Sequence, residues 1–235
     1  MTRKVCILLS GIWLLFCCTS NTELPEMADS NEVEEVEPKS FSFLALGDSY
    51  TIGQGVQPKE SWPFQLKDAL ENSERTIEEL TVIARTGWTT SDLLQAIVQQ
   101  SPTKQDMVSL SIGVNNQFRG LEFSIFQEEF NTLLDIAIDL AESKEKVFVV
   151  SIPDYGVTPF GSYNSENIAR ELDMHNAYMK QRCAEINIAF IDITPISREL
   201  GDGSNALADD NLHPSPFQYS LWVEEILPIA NAILK

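Results

Sequence analysis

The sequence predicts an α/β domain of three-layer, flavodoxin-like type, with a five-stranded, mainly parallel sheet in the order 2-1-3-4-5 and helices on both faces. Two observations carry this. Short apolar runs alternate with stretches of helical periodicity, and no two strands are joined by a tight hairpin. A third directs attention to one edge of the sheet: the runs at 41–47, 79–84 and 106–112 all lead into glycine-containing turns. Ligands bind at the carboxyl ends of strands in such sheets, so polar residues in those turns are candidate functional groups.

The first strand, 41–47, stops at Gly47-Asp48 and presents Ser49, a candidate nucleophile. Residues 62–71 place Trp62, Leu66, Ala69 and Leu70 at helical spacing, with Pro63 tolerated in the first turn. The second strand, 79–84, runs into the glycine turn at Gly87 and a helix over 92–99, capped by Thr90 or Ser91. The third strand, 106–112, closes on Gly113-Val114-Asn115-Asn116 as the first closes on Gly47-Asp48-Ser49. Residues 122–143 carry Phe123, Phe126, Phe130, Leu133, Leu134, Ala137 and Leu140 on one side, a core stripe. A fourth strand at 146–152 enters the turn Pro153-Asp154-Tyr155-Gly156. A helix over 164–186, a fifth strand over 188–193 and an amphipathic helix over 216–234 complete the domain.

The chain opens with Arg3 and Lys4 before an apolar segment, 5–16, too short to span a bilayer comfortably, which is the pattern of a secretory signal. Its end, Leu14 to Cys18, resembles a bacterial lipobox. Cys18 is the expected lipidated residue because Cys17 then supplies the small residue before the cut; Cys17 is the rival, with bulky Phe16 before it, and ordinary signal cleavage is the alternative. Residues 1–18 are thus read as signal and lipobox, which implies export to a bacterial cell envelope and a lipid anchor. In 19–39, seven glutamate or aspartate residues between Glu23 and Glu37 alternate with small or apolar ones, an expected disordered acidic tether. Residues 40–235 have the length of one domain.

The net charge of −19 excludes nucleic acid as an expected partner and leaves no basic patch for anionic lipid, so only an anchor would hold the protein at a membrane. Cys183 is the lone cysteine beyond the signal; no internal disulfide is possible, no Cys/His spacing fits a zinc site, and no metal or organic cofactor is expected.

A serine hydroxyl needs a base, and histidine is the usual one. Of the two histidines, His175 lies within a helical pattern and reads as surface or packing, whereas His213 lies in a loop with Asp210 three residues upstream, a spacing that lets one turn aim the carboxylate at the imidazole. Asp209 is the rival carboxylate. Asp48 reads as structural, and Asp154 as a turn carboxylate rather than a cavity residue.

Four stretches, GDSYTIG at 47–53, the glycine turn at Gly87, GVNN at 113–116 and DNLH at 210–213, resemble in order the four blocks of the SGNH hydrolases, the GDSL esterases and lipases. The resemblance implies Ser49 as nucleophile, His213 as general base and acid, Asp210 as its orienting partner, and an oxyanion hole made by the N–H groups of Ser49 and Gly87 with the Asn115 amide. The third block is commonly Gly-x-Asn-Asp; here Asn116 ends it, which should alter loop packing more than chemistry. Trp88, Phe118 and Arg119 are expected to border a pocket for a modest apolar acyl group or a sugar. A short-acyl or carbohydrate esterase and a lysophospholipase or thioesterase fit equally. A glycan-binding surface lipoprotein that keeps the fold without catalysis is the reading from another class, and a Ser49 inert to fluorophosphonate would favour it.

Overall fold

A computed structural model describes residues 38–235. The signal, the lipobox with Cys17 and Cys18, and the tether up to residue 37 lie outside the described residues. Strand β1 (Lys39–Gly47) leads into a four-residue helix α1 (Ser49–Ile52), then α2 (Trp62–Leu70) and β2 (Arg75–Ala84). There follow α3 (Thr90–Gln100), β3 (Met107–Ser111), α4 (Val114–Phe118), α5 (Phe123–Ala141) and β4 (Val147–Val150). The chain continues through α6 (Ser165–Ile186), β5 (Ala189–Ile191), α7 (Thr194–Leu200) and α8 (Pro216–Ile233).

All four strand pairings are parallel and the order is β2-β1-β3-β4-β5, as the sequence predicts. The chain moves one way from β1 to β2 and the other way thereafter. Right-handed crossovers therefore put α2 on one face and α3, α5 and α6 on the other, and α8 packs beside α2. The reversal leaves a crevice between the carboxyl ends of β1 and β3, where Ser49 and Asn115 emerge. Central β3 and β4 are buried along their whole length, as apolar strands covered on both faces must be. The phenylalanines of α5 fill the core: Phe126 and Phe130 are fully buried.

Several features differ from the sequence reading, among them the short helices α1 and α4 where turns are expected. Strand β2 begins at Arg75 because Lys39 pairs with it, so the sheet also takes in Lys39, and glutamates at 78 and 79 sit in an exposed edge strand whose polar half hid its strand character. Helix α7 has no counterpart among the expected elements; seven residues with one apolar turn give too weak a periodicity. The cap of α3 is Thr89, not Thr90 or Ser91: its Oγ1 accepts from Asp92 N while the Asp92 carboxylate takes the Thr89 N–H at 2.9 Å, a capping box. Cys183 is a fully buried core thiol that burial pushes up to about 12, which makes it unreactive. Among the described residues no helix is long and apolar enough to cross a membrane.

Candidate active site

The buried end of β1 turns directly into α1, so Ser49 is the first residue of a helix rather than part of a loop. A first-turn N–H has no intrahelical acceptor and points outward. Asp48 caps the helix, its Oδ1 accepting from Tyr50 N at 3.0 Å, which bears out the structural reading of that residue. Burial, only partly offset by that hydrogen bond, pushes the Asp48 carboxyl up to about 7. Folding thus favours its protonated form. The stability this contributes is complete below the ordinary carboxylate pKa and is lost as pH rises through about 7. Asp48→Asn keeps a capping oxygen and should flatten the fall in unfolding free energy between about pH 4 and pH 7. Urea titrations that give the same pH slope for variant and wild type would contradict this.

His213 is set by a turn that Asp210 builds. One carboxylate oxygen, Oδ1, accepts from the N–H groups of Leu212 and His213, both at 3.0 Å, while Oδ2 lies 2.6 Å from His213 Nδ1. Asn211, at φ 57°, lets the chain reverse at the tip, and Ala208 N–H to His213 C=O at 2.8 Å closes the loop. One side chain therefore fixes both the backbone that carries the imidazole and the tautomer, with Nδ1 protonated and Nε2 left as a base. Burial raises the Asp210 carboxyl, but the hydrogen bonds from His213 and Leu212 outweigh it and hold it below the ordinary carboxylate value. Asp209 makes no bond to the ring among the described residues. The Tyr50 ring packs against the imidazole, centroids 5.5 Å apart.

The loop at Gly87 is clamped from α4. Asn115 Nδ2 donates one hydrogen to Trp88 C=O at 2.9 Å, which leaves its second hydrogen unspent, and Arg119 Nη2 donates to Gly87 C=O. Gly87 sits at φ +82°, and a Cβ there would meet nothing nearer than Arg119 Nη2 at 3.7 Å. The left-handed backbone conformation by itself favours glycine at this position. Its N–H takes no acceptor among the described residues.

Ser49, Gly87, Asn115 and His213 line one cavity of about 220 Å³. No hydrogen bond joins Ser49 Oγ to His213 among the described residues, and such contacts often tighten only when substrate binds. The rest of the lining is mostly apolar, from Tyr50, Val114 and Leu212 to an aromatic group, Phe118, Tyr155 and Phe160. Of the three expected border residues only Phe118 is in the lining: Trp88 packs against the core and Arg119 holds the Gly87 loop. Tyr155 and Phe160 escaped the sequence reading. The aromatic residues of the loop after β4, at the same sheet edge as Ser49, were the signal for them.

The sequence pattern of the GDSL-like lipase/acylhydrolase family matches residues 45–221, which is most of the chain and takes in all of these residues. The chain belongs to that family. It is accordingly a carboxylic ester hydrolase with the SGNH fold. It is 23% identical over 194 residues to an arylesterase of Vibrio mimicus, covering 80% of this chain and 86% of that protein. Among solved structures it is similar to TesA, with TM-score 0.65 and 16% identity over 82% of this chain and 99% of that one. A G-D-S-L family lipolytic protein from Veillonella parvula gives TM-score 0.65 and 19% identity, again over 82% and 99% of the two chains.

The departure from the GDSL family pattern at Asn116 has a physical reason. Asn116 is fully buried; its Oδ1 accepts from Thr90 N at 3.0 Å and its Nδ2 donates to Thr90 Oγ1 at 2.6 Å. That hydroxyl already donates to Glu129 Oε2, so it needs a donor opposite, which an amide supplies and an ionised carboxylate cannot. The remaining residues weighed in the sequence are structural. Asp154 is buried and paired to Arg198 Nε at 2.8 Å, and does not line the Ser49 cavity. His175 is buried between Phe123 and Phe126, with centroids 5.0 and 4.5 Å away, and burial lowers its pKa, so packing is its role.

Proposed function

We propose that this hydrolase works through an acyl-serine intermediate on esters with a short acyl group. Supporting this is the convergence on one cavity of a serine at a helix start, an imidazole oriented by a carboxylate and two donor groups. In this reading Ser49 Oγ attacks the ester carbonyl as His213 Nε2 takes its proton, and Asp210 stabilises the imidazolium. The carbonyl oxygen becomes an oxyanion bound by the Ser49 and Gly87 N–H groups and the free hydrogen of Asn115 Nδ2. Collapse expels the alcohol, which takes the proton from His213. Water, deprotonated by His213, then attacks the acyl-serine, and Ser49 leaves with the proton as the carboxylic acid departs.

The acyl limit is argued from size. A cavity of about 150 Å³ accepts benzene, so the 220 Å³ here holds a ring or a short chain, and a long lipid tail would extend beyond it. A panel of p-nitrophenyl esters of increasing chain length, run beside acetylated glycans and lysophospholipids, should show kcat/KM highest for short acyl esters; a maximum at long chains would refute the assignment. Asn115→Ala should lower kcat by about 10²–10³ with a smaller effect on KM, since the amide is used most when the oxyanion forms. An unchanged kcat would remove Asn115 from the oxyanion site.

The protein is further proposed to be exported and anchored through Cys18, on the strength of the signal and lipobox. Labelled palmitate should be incorporated in a globomycin-sensitive way, and its absence would favour ordinary cleavage.

A further inference from the structure

Behind the aromatic wall of the cavity runs a polar chain, buried at its Tyr155 and Gln117 end and half-buried at Glu171 and Asn167, with no part in the steps above. Tyr155 Oη donates to Gln117 Oε1 at 2.9 Å, Gln117 Nε2 donates to Glu171 Oε2 at 2.7 Å, and Asn167 Nδ2 donates to Glu171 Oε1 at 2.8 Å. Gln117 and Tyr155 are buried, at 8% and 4% exposure. The direction of every bond is fixed. The Gln117 hydrogen bond holds the Glu171 carboxyl below its ordinary value, so it is ionised and can only accept. That turns the Gln117 amine to Glu171 and its oxygen to Tyr155. Burial pushes the Tyr155 hydroxyl up to about 12, which keeps it a donor. On the cavity side the Tyr155 ring stands edge-on to Phe118, centroids 6.1 Å apart, and 6.3 Å from Phe160.

We propose that Gln117 is a positioning residue for acyl selectivity: by holding Tyr155 Oη it fixes that ring as a wall of the cavity and makes the site reject long acyl chains. The inference rests on the acyl-serine reading above. A ring tied at its hydroxyl cannot swing aside without breaking a buried hydrogen bond and stranding the Gln117 oxygen. The tie is built on α4, whose neighbouring residues are Asn115, at the oxyanion site, and Phe118, in the wall.

The test is the ratio of kcat/KM for p-nitrophenyl octanoate to that for the butyrate, in wild type, Gln117→Met, Tyr155→Phe and the double variant. Each single change should raise the ratio by about three- to tenfold, the range for one lost neutral hydrogen bond, through a lower octanoate KM. The double variant should do no more than either single one, because both break the same link. General loosening of the fold would depress both substrates alike; that result, an unchanged ratio, or additive effects would overturn the proposal. Should Gln117→Met not fold, Tyr155→Phe alone carries the test, since it removes one oxygen and no packing. Ser49-dependent butyrate hydrolysis by the wild type separates the two readings. Its absence would sink the acyl-serine reading and this inference with it, whereas its presence with an unchanged ratio would sink this inference only.

Discussion

Ser49→Ala is expected to lower kcat by about 10⁵–10⁶ while leaving the fold unaltered. The loss follows from the chemistry: without the hydroxyl no acyl intermediate forms, and only water held near the oxyanion donors remains to attack the ester. The unaltered fold follows from the geometry. Ser49 Oγ has no hydrogen-bond partner among the described residues, and α1 is held instead by the Asp48 cap and by Gly53 in the left-handed conformation at its end. The change in unfolding free energy should therefore stay within about 0.5 kcal/mol. Steady-state assays with urea titrations check both halves, and a variant that folds normally and still turns over ester at more than a few per cent of the wild-type rate would end the nucleophile assignment.

Asp210→Asn should cost about 10⁴ in kcat with little change in KM. The reason is the tautomer. In the wild type Oδ1 supports the Leu212 and His213 N–H groups and Oδ2 takes the proton of His213 Nδ1. An asparagine can keep the first task with its carbonyl oxygen, but its amine then faces Nδ1 and donates to it. The ring must carry its proton on Nε2, where the base is needed. The loop is held and the chemistry is lost, so thermal unfolding should barely move. A loss of only a few-fold would mean that His213 is oriented by its packing against Tyr50 and not by the carboxylate.

What could be read from the sequence had local or repetitive signals. The strand order followed from alternating periods and the handedness of crossovers; Ser49, Gly87 and Asn115 each stand in a short stretch at a strand end, and the His213 loop stands just before the last helix. The Asp210–His213 pair was legible because a three-residue turn suffices to join them. The cavity wall was not, because it depends on distant partners: Tyr155 meets Gln117 across 38 residues, and Gln117 meets Glu171 across 54. Neither pair has a spacing that a periodic pattern marks. Arg119 was misjudged for the same reason, since its position after the third block placed it near the site but could not tell that it points to the Gly87 carbonyl 32 residues away. Strand β2 was half hidden because an edge strand need not be apolar.

The central claim is that Ser49 is the nucleophile activated by His213, and covalent labelling tests it most directly. A fluorophosphonate, which loses fluoride as a serine oxygen attacks phosphorus, should modify native wild-type protein once, on the peptide that contains Ser49. The label should be absent from Ser49→Ala, slowed by orders of magnitude in His213→Ala, and absent from heat-denatured protein. Failure of the native protein to label, or equal labelling of Ser49→Ala, would contradict the account.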